Sequence, residues 1–338
     1  MNTRPASSRT LLLATTALAP VTWGSTYAVT TSLLPADRPL LAAAVRALPA
    51  GLVLLAFVRR LPRGSWWARA AVLGVLNIGA FFPLLFLAAY RLPGGVAGVL
   101  GAVQPLVVAG LSVRVLGQRP GARTLAAGLL GVVGVALVVL RADAGLDALG
   151  VLAGLGGAVS MAAGTVLGRR WGLPPGVGPL ALTAWQLTVG GLLLLPLALF
   201  AEGLPAAVTG TNLLGYLYLA TVNTALGYAL WFRGVTRLPA AAASFLGLLS
   251  PVTAAVIGWA ALGQSLTPLQ LTGLAVALGA MAWGAVGGSR SARGAKSVEH
   301  HTRAPGAEDS AARNGGPGRL PGPRGRGRRD AGPALITR

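Results

Sequence analysis

The sequence predicts an all-α integral membrane protein, with ten transmembrane helices arranged as two five-helix repeats of inverted topology. Three observations lead there. The 338 residues are 54% hydrophobic and only 11% charged, with a mean hydropathy of +0.68, far more apolar than a water-soluble domain. The apolar residues gather into ten continuous runs, each near the roughly 20 residues that a helix needs to cross a bilayer. Finally, residues 69–138 recur at 215–284 with a constant offset of 146, and 17 of the 70 positions are identical.

The first run, 11–33, follows Arg4 and Arg9. That start resembles a secretory leader, but the apolar stretch continues past Trp23 and Tyr27, so an uncleaved first helix is expected. The second, 39–58, opens on Pro39 and stops at Arg59-Arg60. The third, 67–89, lies between Arg63 and the corner Arg91-Leu92-Pro93. The fourth, 94–115, opens on Gly94-Gly95 and ends before Gly117. The fifth, 122–140, stops at Arg141. The sixth, 148–168, starts after Asp147 and ends at Arg169-Arg170. The seventh, 179–200, opens on Pro179. The eighth, 211–232, ends at Arg233. The ninth, 240–262, follows Pro239, and the tenth, 268–287, opens on Pro268. Continuous rather than alternating apolar character selects helices over a barrel.

The repeat keeps Asn77/Asn223, Phe86/Phe232, the two Arg-Leu-Pro corners, Gly101/Gly247, Pro105/Pro251 and the two Leu-Gly-Gln triplets at 116–118 and 262–264 in one register. A shorter offset aligns Pro39-Leu40 with Pro179-Leu180, which sets Arg46 opposite Gln186 and Gly51 opposite Gly191. Each unit holds five spans. An odd number forces the second unit to enter from the opposite side, which is the inverted repeat of many transporters. The expected divisions are a cytoplasmic start (1–10), a first repeat (11–140), an external linker (141–147), a second repeat (148–287) and a tail (288–338).

Charge supports this layout. The net charge of +20 resembles a nucleic-acid binder, but eleven of the 28 basic residues lie between Arg290 and Arg338, and most others flank apolar runs. No nucleic-acid partner is expected. With the N-terminus inside, the inner connections hold Arg59, Arg60, Arg63, Arg169 and Arg170 among others. The outer ones hold only Arg38, Arg91 and Arg141, together with Asp37, Asp143, Asp147 and Glu202. This is the positive-inside pattern, and it places both termini in the cytoplasm of a cell (inner or plasma) membrane. The tail's Gly, Pro and Arg content predicts disorder. The chain has no Cys, and its two His sit in the tail, so no metal site and no cofactor is expected.

The first run carries Pro20-Val-Thr-Trp-Gly-Ser-Thr-Tyr27, the fourth and ninth carry Gln104-Pro105 and Ser250-Pro251, and each is followed by Leu-Gly-Gln. In that order these segments resemble the EamA family of the drug/metabolite transporter superfamily, and within it the PecM-like branch of pigment and metabolite exporters. The resemblance implies a ten-helix carrier. The first four helices of each repeat would enclose a central cavity, with the fifth outside. It also implies export and coupling to protons. One departure stands out: Gln118 and Gln264 occupy positions where the family usually has Glu, which puts any carboxylate role there in doubt.

Polar groups inside a membrane are costly unless paired or hydrated, so they are the default site candidates. Arg46 is the ionisable side chain nearest the middle of a span and suits an anionic group on a solute; a structural role, bonded to carbonyls at a helix end or hydrating a cavity, is the plainer alternative. Asn77 and Asn223 can donate and accept hydrogen bonds to a polar solute or merely join helices. Gln186 stands opposite Arg46. Gln104 and Ser250 precede Pro105 and Pro251, which are expected to kink their helices and free a carbonyl. Trp23, Tyr27 and Tyr228 offer stacking surfaces. The Gly residues of the fourth and fifth helices read as packing sites rather than phosphate loops.

The function expected from these features is secondary transport of a small organic solute. An amino acid or another zwitterionic, anionic or neutral metabolite fits best, because the buried charge is positive. Drug or pigment efflux, or a facilitative carrier, is the alternative. An enzyme would need acid, His or Cys within the spans, and they hold none. A scaffold or sensor acting through the tail would lose its function when 288–338 is deleted. Three routes for energy remain open: a residue outside the cores such as Asp37 or Glu202, the solute's own ionisation, or facilitated diffusion. The sequence does not set the oligomeric state.

Overall fold

In the computed structural model, residues 6–118, 120–139, 147–235, 237–238 and 246–283 are described. All regular structure among them is helical. Residues 284–338 lie outside the described residues, as does the linker segment 140–146. Helix α1 runs Ala6–Gly24, breaks at Ser25 and resumes over Thr26–Leu33. It is followed by α2 (Pro39–Val58), α3 (Trp66–Arg91), α4 (Gly94–Leu116), α5 (Ala122–Val139), α6 (Ala148–Trp171), α7 (Pro179–Ala201), α8 (Gly210–Gly234), α9 (Leu249–Leu262) and α10 (Pro268–Trp283). Among the described residues, six of these (α2, α3, α4, α6, α7 and α8) are long and apolar enough to cross a membrane; the others are shorter apolar helices. The expected first part of the ninth run and the end of the tenth fall partly outside the described residues.

Glycine sets how closely the helices approach. At the centre, α2 and α7 cross with backbones in contact. A Cβ on Gly51 would stand 2.6 Å from the Thr188 nitrogen, and one on Gly191 would stand 2.7 Å from the Leu48 nitrogen. The two contacts are reciprocal. Adding 140 to Gly51 and Leu48 gives Gly191 and Thr188, so each helix touches the other at corresponding points. They also run in opposite senses, because 48 to 51 on one helix meets 191 to 188 on the other. Around this crossing, Ala42, Ala43, Ala47 and Ala50 of α2 pack against Phe82, Phe86, Leu187 and Leu219. Small side chains let the larger ones interlock, and dispersion rather than the hydrophobic effect binds helices in lipid.

Corresponding pairs recur on either side. Gly234 of α8 packs on Thr16 of α1, and Gly164 of α6 packs on Asn77 of α3. Gly94, Gly95 and Gly98 of α4 pack on α9 at Ala254, Ala255 and Pro251, whereas Gly101 and Gly247 face open space. Among the described residues, the two helices therefore meet at the Gly94 end. At that same end, Arg91 pairs with Asp147 at 2.8 Å, and the Asp147 carboxylate caps α6 by accepting from the Gly150 nitrogen at 2.8 Å. The Gly150 N–H, followed by Arg91, holds the Asp147 carboxyl below the usual carboxylate range. Glu202 accepts from the Leu40 and Leu41 nitrogens at 2.7 and 2.8 Å, and Arg38 donates to the carbonyl oxygens of Glu202 and Gly203.

Besides the break in α1, three helices depart from regular α geometry. In α3, residues Val75–Ala80 form a π-helical turn, and in α8 the turn is Leu219–Leu226. Each contains the repeated Asn. In α4, a short 3₁₀ segment, Leu100–Val103, precedes a fresh helical start at Gln104-Pro105. The expected kink at Pro105 is thus a break with the proline in the first turn, where its missing N–H costs nothing. Pro251 likewise stands near the start of α9, whose run begins at Leu249.

Candidate functional site

The π-turns organise the site. An inserted residue shifts the hydrogen-bond ladder and leaves carbonyls for other donors, and such turns concentrate at functional positions. Both freed regions are used by the opposite repeat. The Trp23 indole N–H on α1 donates to the Asn223 carbonyl oxygen at 2.9 Å, and the Ser160 hydroxyl on α6 donates to the Leu76 carbonyl oxygen at 2.7 Å. The polar residue of each second helix bonds across in the same way. Arg46 Nε on α2 donates to Thr224 Oγ1 in the π-turn of α8 at 2.9 Å. Asn77 Nδ2 in the π-turn of α3 donates to Gln186 Oε1 on α7 at 2.7 Å. These are two corresponding polar nodes, one charged and one neutral.

The Arg46 node is the richer of the two. Arg46 is 4% exposed. Its guanidinium lies 4.4 Å from the Phe82 ring centroid and 5.8 Å from that of Phe86. Tyr27, Tyr218 and Tyr228 lie within electrostatic reach. Rings under a desolvated guanidinium contribute about 2 kcal/mol, which offsets part of the cost of burying the charge. Nη1, however, is buried with no hydrogen-bond partner. A charged donor left unbonded costs more than a neutral one, so this atom is where an acceptor on a solute would gain most. The helix-end role for Arg46 does not match this placement, since its partners are a threonine hydroxyl and two rings.

The other expected residues divide around this centre. Asn223, fully buried, donates to the Thr22 carbonyl oxygen and pairs with Thr26, so its amide joins α8 to α1. Trp23 lies 5.4 Å from both Tyr228 and Trp231, and Tyr228 stacks on Phe232 at 6.1 Å, giving an aromatic wall beside Arg46. Asn77 Oδ1 is buried without a partner and lies against Gly164, where an added Cβ would fall 1.8 Å away. Gln104 and Ser250 are half-buried at the starts of the resumed helices in α4 and α9. The sequence reading did not single out Thr224, Phe82 or Phe86 as site residues. The signal for the rings was present, since Phe82 and Phe86 correspond to Tyr228 and Phe232 at the 146 offset.

Similarity to known proteins bears directly on this arrangement. A model of the EamA-like transporter family matches the chain twice, over residues 10–140 and 148–283. The chain belongs to the EamA-like transporter family. Protein PecM of Dickeya dadantii is 46% identical over 256 residues, 76% of this chain and 86% of its own length. A chloroplastic WAT1-related protein of Arabidopsis thaliana is 30% identical across 76% of this chain and 65% of its own. The inner membrane transporter YedA of Escherichia coli K12 is 27% identical across 76% and 84%. One solved crystal structure, 22% identical, superposes with a TM-score of 0.57 over 82% of this chain and 97% of its own, which shows a shared fold. As an EamA-like protein the chain is a multi-pass membrane protein of a transporter family, similar to PecM over most of its length.

Proposed function

We propose that the chain is a secondary transporter that exports a small organic solute by alternating access, with a zwitterionic or anionic metabolite such as an amino acid as its substrate class. The observation that carries this reading is the buried Arg46, held by Thr224 and two phenylalanine rings with Nη1 left to bond. A carboxylate satisfies that nitrogen, whereas a cationic solute meets like charge in a medium of low dielectric. The ten helical runs are read as ten spans, and the repeats 11–140 and 148–287 as inverted copies. The reciprocal antiparallel crossing of α2 and α7 supports inversion, because a two-fold axis in the membrane plane relates equivalent helices in opposite senses. The Arg-rich connections support cytoplasmic termini.

Contact of α4 with α9 at the Gly94 end supports a state closed at that end. The testing experiment is counterflow in proteoliposomes with amino acids, organic acids, sugars and dyes. The expected result is exchange of carboxylate-bearing solutes. Tight binding of a quaternary ammonium ion with indifference to every carboxylate would overturn the reading. The aromatic wall of Trp23, Tyr228 and Trp231 favours a second reading, efflux of a ring-bearing pigment or drug, which the dye arm distinguishes.

A further inference from the structure

Away from the central site, a cavity of about 820 Å³ lies at the Arg-rich end, between the α2–α3 and α6–α7 connections. Its charged and aromatic lining is Arg59, Arg60, Arg63, Trp66, Trp67 and Trp185. The local geometry is built rather than accidental. Arg59 ends α2 in the left-handed region with φ 53°, its N–H returning to the Leu55 carbonyl oxygen at 2.8 Å. That turn lays the following residues across α7, where the buried Trp185 indole donates to the Arg60 carbonyl oxygen at 2.7 Å. The opposite connection turns at Gly176 with φ +70°, and Arg60 Nη1 lies 3.6 Å from where a Cβ there would stand.

This end lacks what completes the other. At the Gly94 end, the Glu202 carboxylate caps the start of α2, and Arg38 donates to the Glu202 and Gly203 carbonyl oxygens. The equivalent helix α7 starts at Pro179 with no side-chain cap, and residues 59–65 and 172–178 contain no acid. Arg69 is occupied by the Trp66 and Trp171 rings at 5.3 and 5.9 Å. Among the described residues, Arg59, Arg60 and Arg63 pair with no carboxylate. Three guanidinium groups gathered round one cavity repel each other unless an anion joins them, and phosphate matches their planar, forked donors. Phe57, Leu61 and Trp67 are 78%, 59% and 56% exposed beside it, which puts acyl chains next to the cavity mouth and Trp67 at the depth of headgroups.

We propose that this cavity binds the phosphate of an anionic phospholipid headgroup, with Arg59, Arg60 and Arg63 supplying the missing counter-charge. The test uses purified full-length protein in micelles, titrated with dibrominated phosphatidylglycerol or dibrominated phosphatidylcholine while tryptophan fluorescence is followed. Quenching by the anionic lipid is expected at roughly tenfold lower mole fraction, and the R59Q/R60Q/R63Q chain is expected to lose that preference. The Trp67→Phe chain, which keeps all three arginines, is expected to lose the largest share of the anionic-lipid signal. Equal quenching by the two lipids, or a preference that survives the triple substitution, overturns the proposal. Complete displacement of the lipid by millimolar inorganic phosphate overturns it too, by reassigning the cavity to a soluble anion.

Discussion

Arg46 combines three roles that substitution can separate: its Nε bond to Thr224, its stacking on Phe82, and the unbonded Nη1. Arg46→Ala removes all three, and a charge-assisted bond to a carboxylate is worth about 1.5–3 kcal/mol. The apparent affinity for a carboxylate solute in counterflow is therefore expected to weaken by about tenfold to a hundredfold. Arg46→Lys keeps the charge but loses the planar stack and the fork, and should fall between Arg46→Ala and the native chain. At the neutral node, Gly164→Ala drives a Cβ into Asn77 Oδ1 and forces the amide off Gln186. Overpacking of this kind costs about 1–3 kcal/mol, so a lowered thermal midpoint is expected, with unchanged melting as the result against it. The sequence made Arg46, Asn77, Asn223 and Gln186 legible because polar groups are rare in apolar runs. Thr224 was not, because a threonine inside a membrane helix ordinarily bonds its own backbone, as Thr188 and Thr221 do here.

At the level of elements, the closed contact between α4 and α9 has a specific fastener. Gln264 Oε1 accepts from the Gly94 nitrogen at 3.0 Å, at a helix start whose N-cap, Pro93, supplies no side-chain bond. The amide does here what a carboxylate would do more strongly, because the helix N-terminus carries partial positive charge. A cap of this kind is worth about 1 kcal/mol, so Gln264→Ala should raise the population open at this end roughly fivefold, and Gln264→Glu should lower it. The native chain has no cysteine, so Gly98→Cys makes a clean reporter in the α4–α9 contact. Faster labelling by an impermeant maleimide in the Ala chain, and slower labelling in the Glu chain, are the expected outcomes; identical rates in all three count against the fastener. Helix limits were readable to within a few residues, since apolar run length and flanking Arg, Pro and Gly set them; α2, for example, spans 39–58 as expected. The π-turns were not readable. One extra residue per turn leaves hydropathy unchanged, and only the carbonyls it frees reveal it.

For the whole molecule, the remaining issue is where a driving force would act. The resemblance to proton-coupled carriers suggests a titrating group, yet the helices contain no Asp, Glu or His. Glu202, one of the two carboxylates offered by the sequence reading, is engaged by the Leu40 and Leu41 N–H groups; releasing it to carry a proton would uncap α2. Asp147 is tied to Gly150 and Arg91, and its carboxyl is held below the usual range. Its contribution to stability is therefore present above its unfolded value and is lost only as pH falls through the lower folded one. Asp147 therefore keeps its charge between about pH 5 and 8. For a zwitterionic amino acid, whose net charge is also constant there, counterflow should proceed at the same rate with and without an imposed pH gradient. Adding a protonophore should not alter it, and the solute should not accumulate beyond equilibrium. A weak organic acid behaves differently, because its own protonation couples its distribution to pH without any titrating residue. Uphill accumulation of the zwitterion driven by the gradient would show that a residue of the chain does carry the proton.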